Sequence, residues 1–296
     1  MFIQPFLSKK IILNINDYNN FKNIITYYMV EEFNKISNTL FVPMKGRIYS
    51  TENFPNILKD EEALKLKDKL PPDKGTQSQY TLLASAVRSR NMDRYINDFL
   101  KNNPDGVIIE IGCGLETTYF RHKNNYNSNK WYSMDLPEVI DYREKLIPPE
   151  GNQILIKGDI LSTEWIDNLK DEIGNKHILV VSAGLYYYFT KEDVIKSIRN
   201  LMKFENVELV FDALNSLGIK GVKKYMKQVG HDDATMYFYV NDANQLCQEI
   251  GDNVKLIKEE KYYYDTPKEG LDFMTKTSMR VSDLFYMVKM IHLKLK

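Results

Sequence analysis

Cysteine is nearly absent. Cys113 and Cys247 are the two in 296 residues, and histidine adds only four, His122, His177, His231 and His292, all scattered. No metal-ligand spacing emerges, so structural zinc is excluded and a reducing compartment fits. Net charge is missing as well. Forty Lys and Arg against forty Asp and Glu leave no global field to attract nucleic acid. No run approaches the roughly 20 apolar residues of a membrane helix. The opening MFIQPFLSKKIILNIND is broken by Lys9 and Lys10 and has no small-residue cleavage site, so it does not read as a signal peptide. Repeats and low-complexity linkers are lacking too. These absences leave a cytoplasmic protein with no nucleic-acid, membrane or metal partner.

What is present is ordinary for a globular chain: 43% apolar and 27% charged residues. That length and balance suit one large α/β domain with appendages, or two small domains. Before residue 106 the pattern is helical. The spacing predicts helices over about 17–37, 59–70 and 80–100, with a loop containing Pro43 and Gly46 after the first. Together, residues 1–100 read as a helical cap on the mouth of a domain that begins near residue 106. From there, apolar runs at 107–111, 131–134, 154–157, 178–182 and 207–211 alternate with helical stretches, the order of a doubly wound, mainly parallel sheet. Two further strands, 236–240 and 254–264, flank a helix starting at Asp242. The expectation is a seven-stranded α/β domain with its core over 106–265, an insertion at 213–236, and a helical tail over 266–296.

In open α/β sheets, ligands collect outside the carboxyl ends of the strands. That rule selects Gly112, Gly114, Asp135, Asp159, Ala183, Gly184 and Asp212. In VIIEIGCGLETTYF, a buried strand runs into a turn in which Gly112 and Gly114 permit close ligand approach. A dinucleotide fingerprint would have a third glycine at 117. Thr117 stands there instead, and the neighbouring Glu116 would repel a pyrophosphate, which favours a nucleoside-like ligand without phosphate. Asp135 reads either as an acceptor for two ribose hydroxyls or as a helix N-cap ahead of Pro137. Asp159 either accepts from the adenine amine, with the Ile160 amide nearby, or caps the next turn. The Tyr186–Tyr188 run is packing, or a set of rings facing a sulfonium. Arg88 and Arg90 are surface charges, or one of them forks onto an amino-acid carboxylate. These residues alone do not separate a nicotinamide cofactor from S-adenosylmethionine.

In order, NTLFVPMKGRIY, ILKDEEALKL, AVRSRNMD, IEIGCGLETTYFR, WYSMDLPEVIDYREKLIP, GDILSTEW, GLYYYF and LVFDALNSLG resemble the leucine carboxyl methyltransferase family. Within it they are most similar to the bacterial branch related to the tetracenomycin polyketide O-methyltransferase. The likeness spans about 38–265. It implies a class I, Rossmann-like methyltransferase fold, S-adenosylmethionine as cofactor, and a small-molecule acceptor, as in polyketide biosynthesis; the lack of a convincing base favours a carboxylic acid over a hydroxyl as that acceptor. Carried over by position, it implies that Arg88 binds the methionine carboxylate and Gly112 lies along the methionine portion. Asp135 would hold the ribose, and Asp159 and Ile160 would meet adenine. Two departures stand out. Glu116 replaces a usual aspartate, and Ala183 replaces a glutamate that contacts the donor, a contact worth about 1–3 kcal/mol if nothing replaces it. No catalytic base is apparent, with His231 the nearest candidate. A nicotinamide-dependent dehydrogenase and a donor-binding protein without turnover are the competing readings.

Overall fold

The five apolar runs between 107 and 211 become five parallel strands. In the computed structural model, which describes residues 40–71, 77–228 and 236–296, they are β1 (Val107–Ile111), β2 (Trp131–Asp135), β3 (Gln153–Lys157), β4 (Ile178–Ser182) and β5 (Val207–Leu214). The helices in chain order are α1 (Phe41–Asn53), α2 (Glu61–Leu64), α3 (Gln79–Asn102), α4 (Thr118–His122), α5 (Pro137–Leu146), α6 (Glu164–Ile173), α7 (Lys191–Leu201), α8 (Ser216–Gln228), α9 (Ala243–Ile250) and α10 (Phe273–Leu284). Every residue of β1 and β4 is buried, because helices cover the sheet on both sides. Side chains of β1 part alternately between two cores. Val107, Ile109 and Ile111 pack with Trp165, Ile198 and Leu246 of α6, α7 and α9, whereas Ile108 packs with Leu83, Val87 and Tyr95 of α3.

Two more strands complete the sheet, β6 (Lys255–Lys261) and β7 (Val288–Lys294), with β7 antiparallel to both of its neighbours, giving the order β3-β2-β1-β4-β5-β7-β6. Here the structure departs from the sequence expectation. Within 266–296 only α10 is helical; β7 then inserts between β5 and β6. With β4 on one edge of β5 and β7 on the other, no edge remains for residues 236–240, which are not a sheet strand. They form an extended strap tied by single bonds, Tyr237 N to Tyr187 O (2.7 Å) and Val240 N to Leu214 O (2.8 Å). The alternation that suggested a strand is real, with Met236, Phe238 and Val240 buried and Tyr237 and Tyr239 exposed.

The stretch expected to loop around Pro43 and Gly46 is helix α1. Pro43 lies in its first turn, where a missing N–H leaves no bond unmade. Gly46 lets α1 pack directly on α3, since a Cβ there would stand 2.4 Å from the Leu82 carbonyl oxygen. The helix expected over 59–70 is shorter, α2 followed by a 3₁₀ turn at Lys67–Lys69. α3 and α9 begin as read, capped by Ser78 and Asp242. The helix expected over 17–37 lies outside the described residues. No helix among the described residues is long and apolar enough to cross a membrane.

Candidate functional site

Strand register assembles the site. Ile111 pairs with Met134, Asp135 with Lys157, Glu110 with Val181, and Ser182 with Phe211. Carried forward along the strands, these registers set Asp135, Gly112, Ala183 and Asp212 in one row toward the carboxyl ends of β2, β1, β4 and β5. The turn holding Asp159 and Ile160 comes after β3. The selection made from strand ends therefore falls on one edge of the sheet.

Gly112 and Gly114 both adopt positive φ, 64° and 45°, a conformation that side chains with a Cβ avoid. The loop is pinned by its neighbours. Gly114 N donates to Asp135 Oδ2 (2.8 Å), the Leu136 N–H donates to Asp135 Oδ1 (2.8 Å), and Cys113 N donates to the Met134 carbonyl (3.1 Å). Asp135 thus serves as both tether and acceptor. Each of its oxygens takes one backbone bond, and an ionised carboxylate offers about four acceptor positions. Asp159 is exposed, and its Oδ1 accepts from Leu161 N at 2.8 Å, a turn-capping bond. Ile160 is 7% exposed and packs into the α6 side of the core.

At the other end of the row, Arg88 reaches over from α3. Its Nε donates to Asp212 Oδ2 at 2.7 Å, and Asp212 also accepts from Tyr187 Oη (2.5 Å) and Gly184 N (2.7 Å). The Asp212 side chain is fully buried, while 21% of Arg88 remains open. Burial works against the Arg88 charge, but Asp212 more than offsets it and holds the guanidinium protonated. Burial, reinforced by Asp212, keeps the Tyr187 phenol un-ionised. Besides the Nε bond to Asp212, the guanidinium meets the Tyr262 phenol and lies near the Tyr187 ring. Gly184, at φ 71°, is required here; a Cβ on it would lie 2.6 Å from Arg88 Nη1. Ala183 brings no polar group and packs on the α3 side. Asp212 already takes three donors on its two oxygens, which leaves at most one acceptor position.

Glu116 corrects one sequence reading. It does not present a bare carboxylate to the ligand. It accepts from Arg47 Nη1 (3.0 Å), Arg121 Nη1 (3.0 Å) and Ser89 Oγ (3.1 Å). Asp60 joins the same cluster, accepting from Arg47 Nε (3.1 Å), Arg121 Nη1 (2.8 Å) and Thr117 Oγ1 (2.5 Å). Arg121 reaches on to Asp93 at 2.7 Å. Burial alone would raise the Glu116 carboxyl, but Arg47 and then Arg121 outweigh it and bring it down to about 2. Its charge is spent fastening α1 and α3 to the glycine loop, and so carries no information about phosphate. Arg90 faces the Asn56 and Ile57 carbonyls and Asp265, away from the row.

Sequence reasoning missed Arg47, Asp60 and Arg143 because their partners lie far along the chain. Arg143 alone left a signal, since it shares a helix face with Val139 and Ile140. Among the described residues no group of three or more His, Cys, Asp or Glu could hold a metal.

The family model for leucine carboxyl methyltransferases matches residues 40–202, from α1 through α7. The tetracenomycin polyketide synthesis O-methyltransferase TcmP of Streptomyces glaucescens is 25% identical over 182 residues, 60% of this chain and 66% of that protein. The S-adenosyl-L-methionine-dependent methyltransferase dpfgK of Gibberella zeae is 23% identical over 229 residues, 70% of this chain and 76% of that protein. Among solved structures, a DUF574-family protein from Streptomyces avermitilis superposes with a TM-score of 0.57 at 14% identity, over 84% of this chain and 96% of its own, a likeness of fold. A nicotinamide-dependent dehydrogenase is set aside by these matches. Carrying the family's sequence pattern over more than half its length, on a class I methyltransferase sheet, the chain belongs to the leucine carboxyl methyltransferase family of S-adenosylmethionine-dependent methyltransferases.

Proposed function

We propose that this protein transfers the methyl group of S-adenosylmethionine to a carboxylate oxygen of a small organic acid. The residues fit the donor. Arg88, partly open, offers its guanidinium to the methionine carboxylate, and Gly112 lets the methionine portion approach the backbone. Asp135 has acceptor positions left for ribose hydroxyls, and Asp159 and the Ile160 backbone lie at the adenine end. The donor supplies a methyl on a sulfonium, already electrophilic. The chain's share is alignment and exclusion of water, and in-line placement contributes up to about 7–11 kcal/mol. Tyr186 and Tyr187 are packing residues instead: Tyr186 is buried against Phe211 and Phe238, and the buried Tyr187 is tied to Asp212, so neither offers an open ring face to a sulfonium.

One observation carries the choice of a carboxylate. Among the described residues no histidine stands along the row, and its carboxylates, Asp159 included, serve turn bonds or the proposed donor contacts. Asp135 and Asp212 are tied by hydrogen bonds, and Tyr187 is pinned as a neutral phenol. The described histidines lie elsewhere. His177 precedes β4 at the opposite end of the sheet, His122 bonds the Thr118 carbonyl, and His292 pairs with Glu208 at 2.8 Å. His231 lies outside the described residues. A carboxylate acceptor is ionised at neutral pH and needs no base, whereas a hydroxyl would.

The test is a panel of carboxylic acids and phenols, polyketide acids among them, given methyl-labelled donor. The expected product is a methyl ester, which releases labelled methanol in mild alkali. An alkali-stable ether would overturn the carboxylate assignment. Donor binding without transfer to any acceptor would instead favour a lapsed enzyme, with Ala183 as the first residue to restore to glutamate.

A further inference from the structure

Beneath the glycine loop lies a buried cation outside the row of strand-end residues. Arg143, in the second half of α5, has no solvent exposure. Its Nη1 donates to the Gly114 carbonyl at 2.8 Å, while Nε and Nη2 are buried without a hydrogen-bond partner among the described residues. Helical side chains lean toward the N-terminus, which takes Arg143 back over the turn that joins β2 to α5. Gly114 is therefore held from both sides, its N–H by Asp135 Oδ2 and its carbonyl by Arg143. A buried guanidinium without a carboxylate in contact is unfavourable, and unsatisfied buried polar atoms are rare enough to require a reason.

We propose that Arg143 is a positioning residue for the donor, clamping Gly114 against Asp135 and supplying the positive charge that lets Asp135 meet the ribose hydroxyls as an anion. This rests on the proposal that the same loop holds the donor. The charges facing Asp135 are consistent with it. Burial pushes the Asp135 carboxyl up, while the Gly114 and Leu136 N–H groups and Arg143 oppose that rise. Glu138, at the start of α5, adds to the rise. The Cys113 thiol also faces Asp135, but burial pushes it well up, so it stays neutral. Because Asp135 is raised, it loses its charge as pH falls, and ribose binding falls with it. Removing Arg143 raises Asp135 further and moves that loss to higher pH.

The experiment is calorimetric titration of the full chain with S-adenosylhomocysteine from pH 5 to 8, using the wild type, Arg143→Met, Arg143→Lys and Asp135→Asn. For Arg143→Met, the affinity loss relative to wild type is expected to be larger at the acid end of the series than at pH 8, because the acid limb moves to higher pH. Arg143→Lys keeps the charge but not the longer planar guanidinium that reaches the Gly114 carbonyl, so its limb stays at the wild-type pH with weaker binding throughout. Asp135→Asn removes the limb. Equal losses for Arg143→Met at both pH values would show a merely structural role and overturn the proposal. Should Arg143→Met fail to fold, Arg143→Lys decides: weaker binding with an unmoved limb supports the clamp, and wild-type affinity at every pH overturns it. Failure of the wild type to bind at any pH would reject the donor site itself, a result distinct from binding that is insensitive to Arg143.

Discussion

Replacing Arg88 with methionine is expected to weaken binding of S-adenosylmethionine by at least about 100-fold, since the proposed fork onto the methionine carboxylate would lose two charge-assisted bonds at about 1.5–3 kcal/mol each. The same change strands Asp212, whose side chain is fully buried and keeps only Tyr187 Oη and Gly184 N as partners. Breaking a buried pair from one side typically costs about 3–5 kcal/mol. Because Arg88 is partly open, the lower end is expected. The two effects separate in variants. Arg88→Lys keeps a cation for Asp212 without the fork, so stability stays near wild type while affinity falls. Arg88→Met with Asp212→Asn removes both charges, so stability recovers and affinity does not. Urea unfolding and calorimetry read the two quantities independently. Wild-type donor affinity in Arg88→Met would show that the arginine serves Asp212 alone.

The second large effect is expected at Arg47, which fastens α1 to the residues that follow Gly114. Its guanidinium is 1% exposed and joins Asp60, Glu116 and the Leu115 carbonyl. Arg47→Met leaves Asp60, Glu116 and Asp93 to share Arg121. The expected loss is about 3–5 kcal/mol, a large part of the ~5–15 kcal/mol that holds a typical protein folded. The cluster also has a pH signature. Glu116 is lowered from 4.5 to about 2 on folding. A depressed carboxyl stabilises fully above its unfolded pKa, and that contribution is lost as pH falls through the folded value. The wild type should therefore lose stability between pH 4.5 and about 2 through this group. In Arg47→Met, Glu116 returns toward its ordinary value and this part of the acid limb flattens. Urea midpoints across that range check it, and an unchanged limb would show that Arg47 does not govern Glu116.

Burial decides how much of the fold was legible in the sequence. β1 and β4 were read with the bounds the structure gives, and β2, β3 and β5 differ only at their ends. Parallel strands covered on both faces appear as uninterrupted apolar runs, a signal that needs no knowledge of partners. β7 was lost because its lysines interrupt the run. Lys289 is buried all the same, satisfied by Glu259 at 2.6 Å and the Asn241 carbonyl at 3.2 Å, pairings no local pattern announces. α1 was lost because Pro43 and Gly46 break a helix on average, though not at a first turn or a close helix contact.

The site divides in the same way. Positions fixed by strand ends were legible, because topology alone brings Gly112, Asp135, Ala183 and Asp212 to one edge. What Glu116 does was not, since Arg47, Asp60 and Ser89 come from distant segments. The sequence showed a charge beside a glycine loop, and its counter-charges became visible only in three dimensions. Asp212 was selected by the strand-end rule without a role; the structure supplies one, as the anchor of Arg88.

The most direct measurement is calorimetric titration of the purified protein with S-adenosylmethionine, S-adenosylhomocysteine and NADH in parallel, repeated with Asp135→Ala. Saturable binding of the first two by the wild type, none of NADH, and loss of binding in Asp135→Ala is the predicted result. Binding of NADH alone, or donor binding that is indifferent to Asp135, would contradict the assignment of this sheet edge as an adenosyl-donor site.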